Sequence, residues 1–184
     1  MNSSDELKLI QEFKNGNEQA FNQLVLRYQE KIYWIIRRMI NDHDEADDVT
    51  QSVFIKAYQS LKTFKGESSF YTWIYRIAIN LSLNEIRRKK LRKTFSFGEQ
   101  ESVQLQSNEP HPLELLERNE QRALIQKAIE LLPEKQKKVF VLRYYEELPY
   151  EEISKILHTS VGGLKANYFY AVKKIGEFLK HASG

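Results

Sequence analysis

The sequence lacks cysteine altogether and contains only four prolines and seven glycines among its 184 residues. A chain without cysteine has no disulfide bond, thiol nucleophile or cysteine-ligated zinc site, which is typical of proteins of the reducing cytoplasm. The scarcity of glycine and proline favours long helices over a turn-rich β-sandwich. No apolar run reaches the ~18 residues that a membrane span needs, and the polar, acidic residues 1–8 do not resemble a signal peptide. We therefore predict a cytoplasmic protein without a membrane span.

Charge is unevenly distributed along the chain, although the formal net charge is only +3. Residues 1–94 carry sixteen Lys and Arg against twelve Asp and Glu, and residues 113–184 carry twelve against ten. Between these blocks, residues 95–112 carry three Glu and no basic residue. Because phosphate neutralisation supplies most non-specific DNA affinity, such small basic excesses predict weak, salt-sensitive DNA binding by the free chain. We therefore expect function to depend on a partner.

Apolar residues recur at three- and four-residue spacing through most of the chain, and no strand-like alternation is found. This spacing predicts helices at about 17–39, 43–61, 69–90, 116–131, 134–145, 150–157 and 161–179, and Asp42 with Glu45 resembles a capping box at the start of the second. The inward faces of the first three helices are predicted to consist of Phe21, Leu24, Val25, Tyr28, Ile32, Ile35 and Met39, of Ala46, Val49, Val53, Ala57 and Leu61, and of Phe70, Trp73, Ile74, Ile77, Ala78 and Leu81. Periodicity disappears between residues 95 and 112, where Gln, Ser, Glu, Asn and two Pro dominate. We predict an all-α protein of two small domains, a helical bundle (1–94) and a helix-turn-helix domain (113–184), joined by an acidic flexible linker (95–112).

The C-terminal part has the pattern of a helix-turn-helix: a short helix at 150–157, a turn at 158–160 and a second helix. The inward face of the second helix is predicted to consist of Val161, Leu164, Tyr168, Ala171, Ile175 and Phe178. Such a helix enters the major groove with its N-terminal half. The residues that we predict to contact duplex DNA are Ser160, Gly162, Gly163, Lys165, Ala166, Asn167, Phe169, Tyr170 and Lys173. The alternative is a helical hairpin that only packs against another protein.

The predicted helix at 69–90 combines aromatic residues with a basic face, and six cations lie within residues 87–93. Aromatic rings beside a positive groove suit single-stranded nucleic acid, because every base offers a face for stacking. A pocket beside the loop at 64–69 could also hold a flipped base. The residues that we predict to bind and melt DNA are Phe64, Lys65, Tyr71, Trp73, Tyr75, Arg76, Asn80, Asn84, Arg87 and Arg88. The alternative, in which the rings are core and the cations solvated, applies to Trp73 more than to Tyr71 and Tyr75, which lie off the predicted inward face.

Four carboxylates at positions 44, 45, 47 and 48 stand at the start of the second predicted helix. A divalent cation needs convergent oxygen ligands, and no distant carboxylate or histidine is positioned to complete a shell. Acidic residues at a helix N-terminus are also favoured by the helix dipole. We predict instead a protein-docking surface formed by Asp47, Asp48, Gln51, Phe54 and Ile55. The four histidines are scattered and no phosphate-binding glycine loop is present, so we predict no catalytic site, no metal and no cofactor.

Three of these segments, in this order, resemble the extracytoplasmic-function group of bacterial sigma factors. DEADDVTQSVF (44–54) resembles the family's acidic-Gln-aromatic helix, which implies docking on the clamp helices of the largest RNA polymerase subunit. SSFYTWIYRIAIN (68–80) resembles the segment that melts the minus-ten promoter element and reads it as a single strand. LLPEKQ (131–136) and YEEI (150–153) resemble the domain that reads the minus-thirty-five element. For that domain the resemblance also implies contact with the flap of the second-largest subunit.

The resemblance implies a non-catalytic specificity subunit whose partners are core RNA polymerase, promoter DNA and an anti-sigma protein, with the linker threading through the polymerase. Two departures concern the promoter sequence. His158 stands where the family usually has Gly, at a turn position that calls for a left-handed backbone. Phe169 and Tyr170 stand where basic residues or His are common, which favours contact with thymine methyl groups over guanine readout. The alternatives are a stand-alone helix-turn-helix regulator that binds palindromic sites as a dimer, and a metal-dependent nuclease.

Overall fold

The computed structural model describes residues 3–95 and 113–182, which form helices and their connecting turns. The N-terminal half consists of α1 (Ser3–Lys14), α2 (Glu18–Ile40), α3 (His43–Leu61) and α4 (Phe70–Phe95). The C-terminal half consists of α5 (Leu113–Glu130), α6 (Glu134–Phe140), a π-helical turn (Val141–Tyr145), α7 (Tyr150–Leu157) and α8 (Val161–Ala182). The predicted all-α fold of two helical domains is confirmed. All but one residue of the predicted linker, 95–112, lies outside the described residues, and its limits stay a prediction.

Polar side chains at the helix starts set where the helices of the N-terminal half begin. The side chain of Asn17 accepts a hydrogen bond from the backbone N–H of Gln19 at 3.1 Å, and Asp42 Oδ1 accepts one from the N–H of Glu45 at 2.9 Å. These bonds satisfy donors that have no partner within the helix. The predicted capping box at α3 is only half formed, because the Glu45 carboxylate pairs with Lys89 of α4 at 3.0 Å instead of reaching back to Asp42.

The core of the N-terminal half lies between α2, α3 and α4. The predicted inward residues of α2 are buried, apart from half-buried Val25: Phe21, Leu24, Tyr28, Ile32, Ile35 and Met39. The predicted inward residues of α3 are buried as well: Ala46, Val49, Val53, Ala57 and Leu61. Helix α1 was not predicted. It contributes Leu9, Ile10 and Phe13 to the same core, although its sequence is polar around these residues.

The two halves of the molecule pack against each other. One small apolar cluster belongs to the C-terminal half alone and includes Ile129, Phe140 and Ile175. A larger cluster runs from the N-terminal core into α7 and α8, where it includes Ile153 and Leu164. Helix α4 is therefore covered on two sides. None of the helices in residues 3–95 and 113–182 combines the length and the hydropathy that a membrane span requires.

Candidate nucleic-acid interface

The C-terminal helix-turn-helix has the orientation that its periodicity predicts. Helix α7 ends at Leu157 and is followed by its C-cap residue His158, whose φ of 50° and ψ of 46° place it in the left-handed region expected for this turn position. The hydroxyl of Ser160 then accepts a hydrogen bond from the N–H of Gly163 at 3.3 Å, which stabilises the start of α8. Leu164, Ala171 and Ile175 are buried. The other predicted inward residues, Val161, Tyr168 and Phe178, are half-buried.

The opposite face of α8 is open to solvent. Most of the residues predicted to contact duplex DNA are exposed: Ser160, Gly162, Lys165, Ala166, Phe169, Tyr170 and Lys173. The two remaining residues, Gly163 and Asn167, are half-buried, and the Asn167 amide donates to the carbonyl oxygen of Gly163 at 2.7 Å. Phe169 and Tyr170 are 64% and 53% exposed, and their ring centroids lie 5.6 Å apart, so the two rings form one exposed aromatic patch.

The residues predicted to bind opened DNA are divided between the surface and the interior. Lys65, Asn80, Asn84, Arg87 and Arg88 are exposed. Tyr71, Trp73 and Arg76 are half-buried, whereas Phe64 and Tyr75 are buried. Several cations at the end of α4 are paired: Arg88 and Arg92 both contact the Glu85 carboxylate, at 2.6 and 3.1 Å. Pairing with the chain's own carboxylates reduces the charge that this helix end offers to phosphates.

Two aromatic residues of this set occupy positions that the sequence did not predict. The Phe64 ring is turned inward and lies 5.1 Å from the Trp73 ring, centroid to centroid. Tyr75, predicted to lie off the inward face, has no exposed surface, so that prediction of its orientation is wrong. The reason is that this side of α4 faces the C-terminal half, where the Tyr75 hydroxyl donates to Glu146 Oε2 at 3.1 Å. Burial, together with Tyr71 and Glu146, raises the pKa of the Tyr75 phenol, which therefore remains a donor.

Two arginines that are predicted to bind opened DNA, Arg76 and Arg87, also form hydrogen bonds to the C-terminal half. The Arg76 guanidinium donates two hydrogen bonds to the carbonyl oxygen of Lys155, from Nε at 3.1 Å and from Nη2 at 2.6 Å. Arg87 contacts both carboxylate oxygens of Glu134, the nearer at 2.6 Å. Hydrogen bonding from Arg87 lowers the pKa of the Glu134 carboxyl. We call this set of contacts, Tyr75–Glu146, Arg76–Lys155 and Arg87–Glu134, the closed arrangement.

A cleft of about 490 Å³ remains between the loop before α4 and the C-terminal half. Its N-terminal wall includes Ser69, Tyr71 and Arg76, and its C-terminal wall includes Lys155 and His158. The cleft lies beside the loop, where the sequence predicts a pocket for a flipped base. Sequence reasoning missed the residues that close the arrangement from the C-terminal side, because no local periodicity relates Glu134 or Glu146 to a helix more than forty residues away.

The outward face of α3 carries the predicted docking residues. Asp48, Gln51 and Ile55 are exposed, and the exposed fraction of Ile55 is 58%. Phe54 and Asp47 are half-buried, and the Asp47 carboxylate lies 3.6 Å from His43 Nε2. This face therefore presents an apolar centre beside carboxylates. Among the described residues, no group of three or more His, Asp or Glu side chains is arranged to hold a metal ion.

Comparison with known proteins identifies both halves of the chain. Residues 24–92 match the family described as Sigma-70 region 2, and residues 122–175 match Sigma-70, region 4. The RNA polymerase sigma-H factor of Pseudomonas aeruginosa is 36% identical over 180 residues, which cover 94% of this chain and 93% of that protein. The ECF RNA polymerase sigma-E factor of Escherichia coli K12 is 34% identical over 175 residues, which cover 91% of this chain and 90% of that protein.

Two solved structures share the fold. CnrH in complex with the cytosolic domain of CnrY has a TM-score of 0.69 and 21% identity, and the alignment covers 98% of this chain and 99% of CnrH. The sigma factor RpoE in complex with the anti-sigma factor NepR, from Bartonella quintana, has a TM-score of 0.67 and 22% identity, with 87% and 96% covered. At this level of identity the likeness concerns the fold.

Proposed function

The chain belongs to the extracytoplasmic-function sigma factors of the sigma-70 family, and from that membership we propose how its surfaces divide the work of transcription initiation. It directs promoter-specific initiation by core RNA polymerase. We propose that it acts in the cytoplasm as a non-catalytic specificity subunit. The observation that carries this proposal is the coexistence, in one chain, of an exposed recognition helix and of a basic, aromatic α4.

The outward face of α3 is the proposed docking surface for the clamp helices of the largest polymerase subunit. Exposed Ile55 supplies apolar area, and Asp48 and Gln51 supply polar contacts at its edge. An apolar centre with a polar rim is the usual composition of a protein interface. For the C-terminal half, family membership supports contact with the flap of the second-largest subunit.

Helix α4 and the loop before it are the proposed site for the minus-ten element. Trp73 is half-buried, and its ring centroid lies 5.1 Å from that of Phe64 and 5.5 Å from that of Phe70. The packed side of the Trp73 ring is thereby held in place, and its exposed side can stack on a base. Asn80 and Asn84 extend the exposed polar face along the helix. The roles of Tyr75, Arg76 and Arg87 require that the closed arrangement open, because all three are engaged by the C-terminal half.

Helix α8 is the proposed reader of the minus-thirty-five duplex. Lys165 and Lys173 are placed to meet phosphates, whereas Phe169 and Tyr170 offer apolar surface. Aromatic side chains in a major groove contact the thymine methyl group more favourably than the polar edge of guanine. We therefore propose a thymine-containing upstream element.

An anti-sigma protein is the proposed regulator. Two solved structures of the same fold, CnrH and RpoE, are complexes with CnrY and with the anti-sigma factor NepR respectively. This support comes from the likeness of fold, so the proposal concerns the class of partner and not its identity.

The decisive experiment is transcription in vitro by core RNA polymerase on a genomic library, with and without the full chain, followed by mapping of start sites. We expect discrete start sites that share two upstream elements and that require the chain. Trp73→Ala should reduce promoter opening, read as permanganate-reactive thymines, more than it reduces polymerase binding. Tight binding to palindromic duplex without polymerase, and no discrete start sites with it, would instead favour a stand-alone regulator.

A further inference from the structure

A lysine of α1 hydrogen-bonds to the loop between α3 and α4. We call this loop, residues 62–69, the strand-binding loop. Lys14 Nζ donates a hydrogen bond to the main-chain carbonyl oxygen of Phe64 at 2.5 Å. Helix α1 precedes residues 24–92, the segment that matches Sigma-70 region 2. Building on the function proposed above, we propose that Lys14 is a positioning residue that sets the conformation of the strand-binding loop for recognition of the opened minus-ten strand.

Helix α1 is itself firmly held, which makes Lys14 a fixed support. Phe13 is 2% exposed, and its ring lies 5.4 Å from that of Phe21 and 5.2 Å from that of Tyr58. At the other end of α1, the buried Glu6 carboxylate accepts a hydrogen bond from the Tyr28 hydroxyl. Because the backbone of α1 is already ordered by these contacts, the hydrogen bond to the loop costs only the conformational entropy of the Lys14 side chain.

The strand-binding loop is held by contacts at both of its ends, and its tip is exposed to solvent. Its first part is held by the buried Phe64 ring and by the bond from the Phe64 N–H to the carbonyl oxygen of Leu61 at 3.1 Å. Its last part is held by Ser69, whose hydroxyl accepts from the N–H of Thr72 at 3.1 Å. The tip between them is exposed and turns at Gly66, where φ is 74°.

The Phe64 carbonyl is the last fixed point before this tip. An ammonium group that donates to a carbonyl oxygen makes a charge-assisted hydrogen bond, which is stronger than one between neutral groups. Because the Lys14 ammonium is engaged by the loop and half-buried, its influence on DNA passes through the orientation of the tip. The tip residue Glu67 lies at the rim of the cleft that Tyr71 and Arg76 also line.

The test compares Lys14→Met with Lys8→Met, an equal loss of charge at an exposed position of the same helix. Methionine keeps the length of the side chain and a high helix propensity. Holoenzyme assembled from core RNA polymerase and each full-length chain is used to select single-stranded oligonucleotides from a library with six randomised positions. Hydrogen exchange of the free chains is measured at the amides of residues 65–68, and thermal melting is recorded for both.

We expect Lys14→Met to bind the hexamer selected by the unmodified chain about three- to tenfold more weakly. This is less than the roughly ten- to hundredfold value of a charge-assisted hydrogen bond, because water can replace Lys14 at this part-buried carbonyl oxygen. It should also relax the preference at one or two hexamer positions and exchange faster at residues 65–68. Lys14→Arg should restore the preference, and Lys8→Met should retain it. If Lys14→Met melts lower than Lys8→Met, the same comparison is made with Lys14→Gln, which keeps a donor.

Identical preference and affinity for Lys14→Met and Lys8→Met would overturn the positioning role. So would a loss of affinity with unchanged base preference and unchanged exchange of the loop, because Lys14 would then act only through charge or stability. A holoenzyme of the unmodified chain that selects no hexamer would contradict the minus-ten function itself, which separates the two failures.

Discussion

Removal of the Glu146 carboxylate should open the closed arrangement in the free protein and increase its affinity for single-stranded DNA. Glu146 accepts a hydrogen bond from the Tyr75 hydroxyl, and Tyr75 has no exposed surface. In Glu146→Ala the buried phenol loses this acceptor as long as the arrangement is closed. In the open form, water would hydrate the phenol, so the substitution destabilises the closed form selectively.

The magnitude follows from the value of a hydrogen bond to a charged acceptor, about 1.5–3 kcal/mol. Tyr71, whose ring centroid lies 4.1 Å from that of Tyr75, can offer the phenol an alternative acceptor, so we expect the low end of this range. A shift of ~1.4 kcal/mol changes the ratio of open to closed molecules tenfold. As long as the open form is the minority, the apparent affinity for the strand rises by about the same factor, because it scales with the competent fraction.

The opening is measured by energy transfer between two dyes on the full chain. Because the chain has no cysteine, Gln59→Cys and Lys180→Cys create the only two attachment points, both at exposed positions in different halves. Affinity is measured by the anisotropy of a labelled minus-ten oligonucleotide. Glu146→Gln, which keeps an acceptor oxygen, and Glu151→Ala, which removes the same charge from an exposed position of α7, are the controls. Equal energy transfer in Glu146→Ala and Glu151→Ala would refute the reasoning.

Three further predictions concern other contacts. Arg87 lowers the pKa of Glu134 below its ordinary value of 4.5. The contact therefore stabilises the closed arrangement fully above pH 4.5, and this contribution is lost as the pH falls through the lowered pKa. Energy transfer between the two dyes should decrease in acid, and the decrease should be smaller in Glu134→Gln. His158→Gly should raise the melting temperature by about 2–4 °C, because it relieves about 1 kcal/mol of strain in the left-handed backbone conformation. His158→Asn should give a smaller increase, and an unchanged melting temperature in both variants would argue against strain. Asp48→Ala with Gln51→Ala should weaken polymerase binding in a titration with core enzyme and leave duplex binding intact, whereas equal affinity would remove α3 from the interface.

The spacing of apolar residues predicted those helices whose buried face is determined by their own sequence. In α2 the residues around Leu24 and Ile32 recur every three or four positions, and Asn17 caps the helix, so both its extent and its inward face were predictable. The left-handed turn at His158 was predictable from the resemblance to a position usually occupied by Gly. Helix α1 escaped prediction because Phe13 becomes a core residue only through contact with Phe21 and Tyr58.

The candidate site was less predictable than the fold because α4 is packed on two sides. Periodicity assigns a helix one inward face, and on that basis Phe70 and Ile74 were predicted to be inward and are buried. Tyr75 is buried by a partner surface more than sixty residues further along the chain, and no feature of α4 itself indicates that surface. The same applies to the carbonyl oxygen of Lys155, since every residue offers such an acceptor.

The distribution of exposed and covered surfaces has a consequence for the order of events in initiation. In the closed arrangement the outward face of α3 and the recognition face of α8 are open to solvent, whereas Tyr75, Arg76 and Arg87 are engaged by the C-terminal half. Under the proposed assignments, docking on polymerase does not require the closed arrangement to open, whereas capture of the melted strand does. A polymerase that binds the open form more tightly would draw the two halves apart, since a ligand shifts an equilibrium only by its difference in affinity for the two states. The weak DNA binding that the charge distribution predicts for the free chain would then have two causes, low net charge and the closed arrangement. Glu146→Ala and Glu151→Ala separate these causes, because both remove one negative charge but only Glu146→Ala opens the arrangement. Glu146→Ala should therefore strengthen strand binding more than Glu151→Ala does.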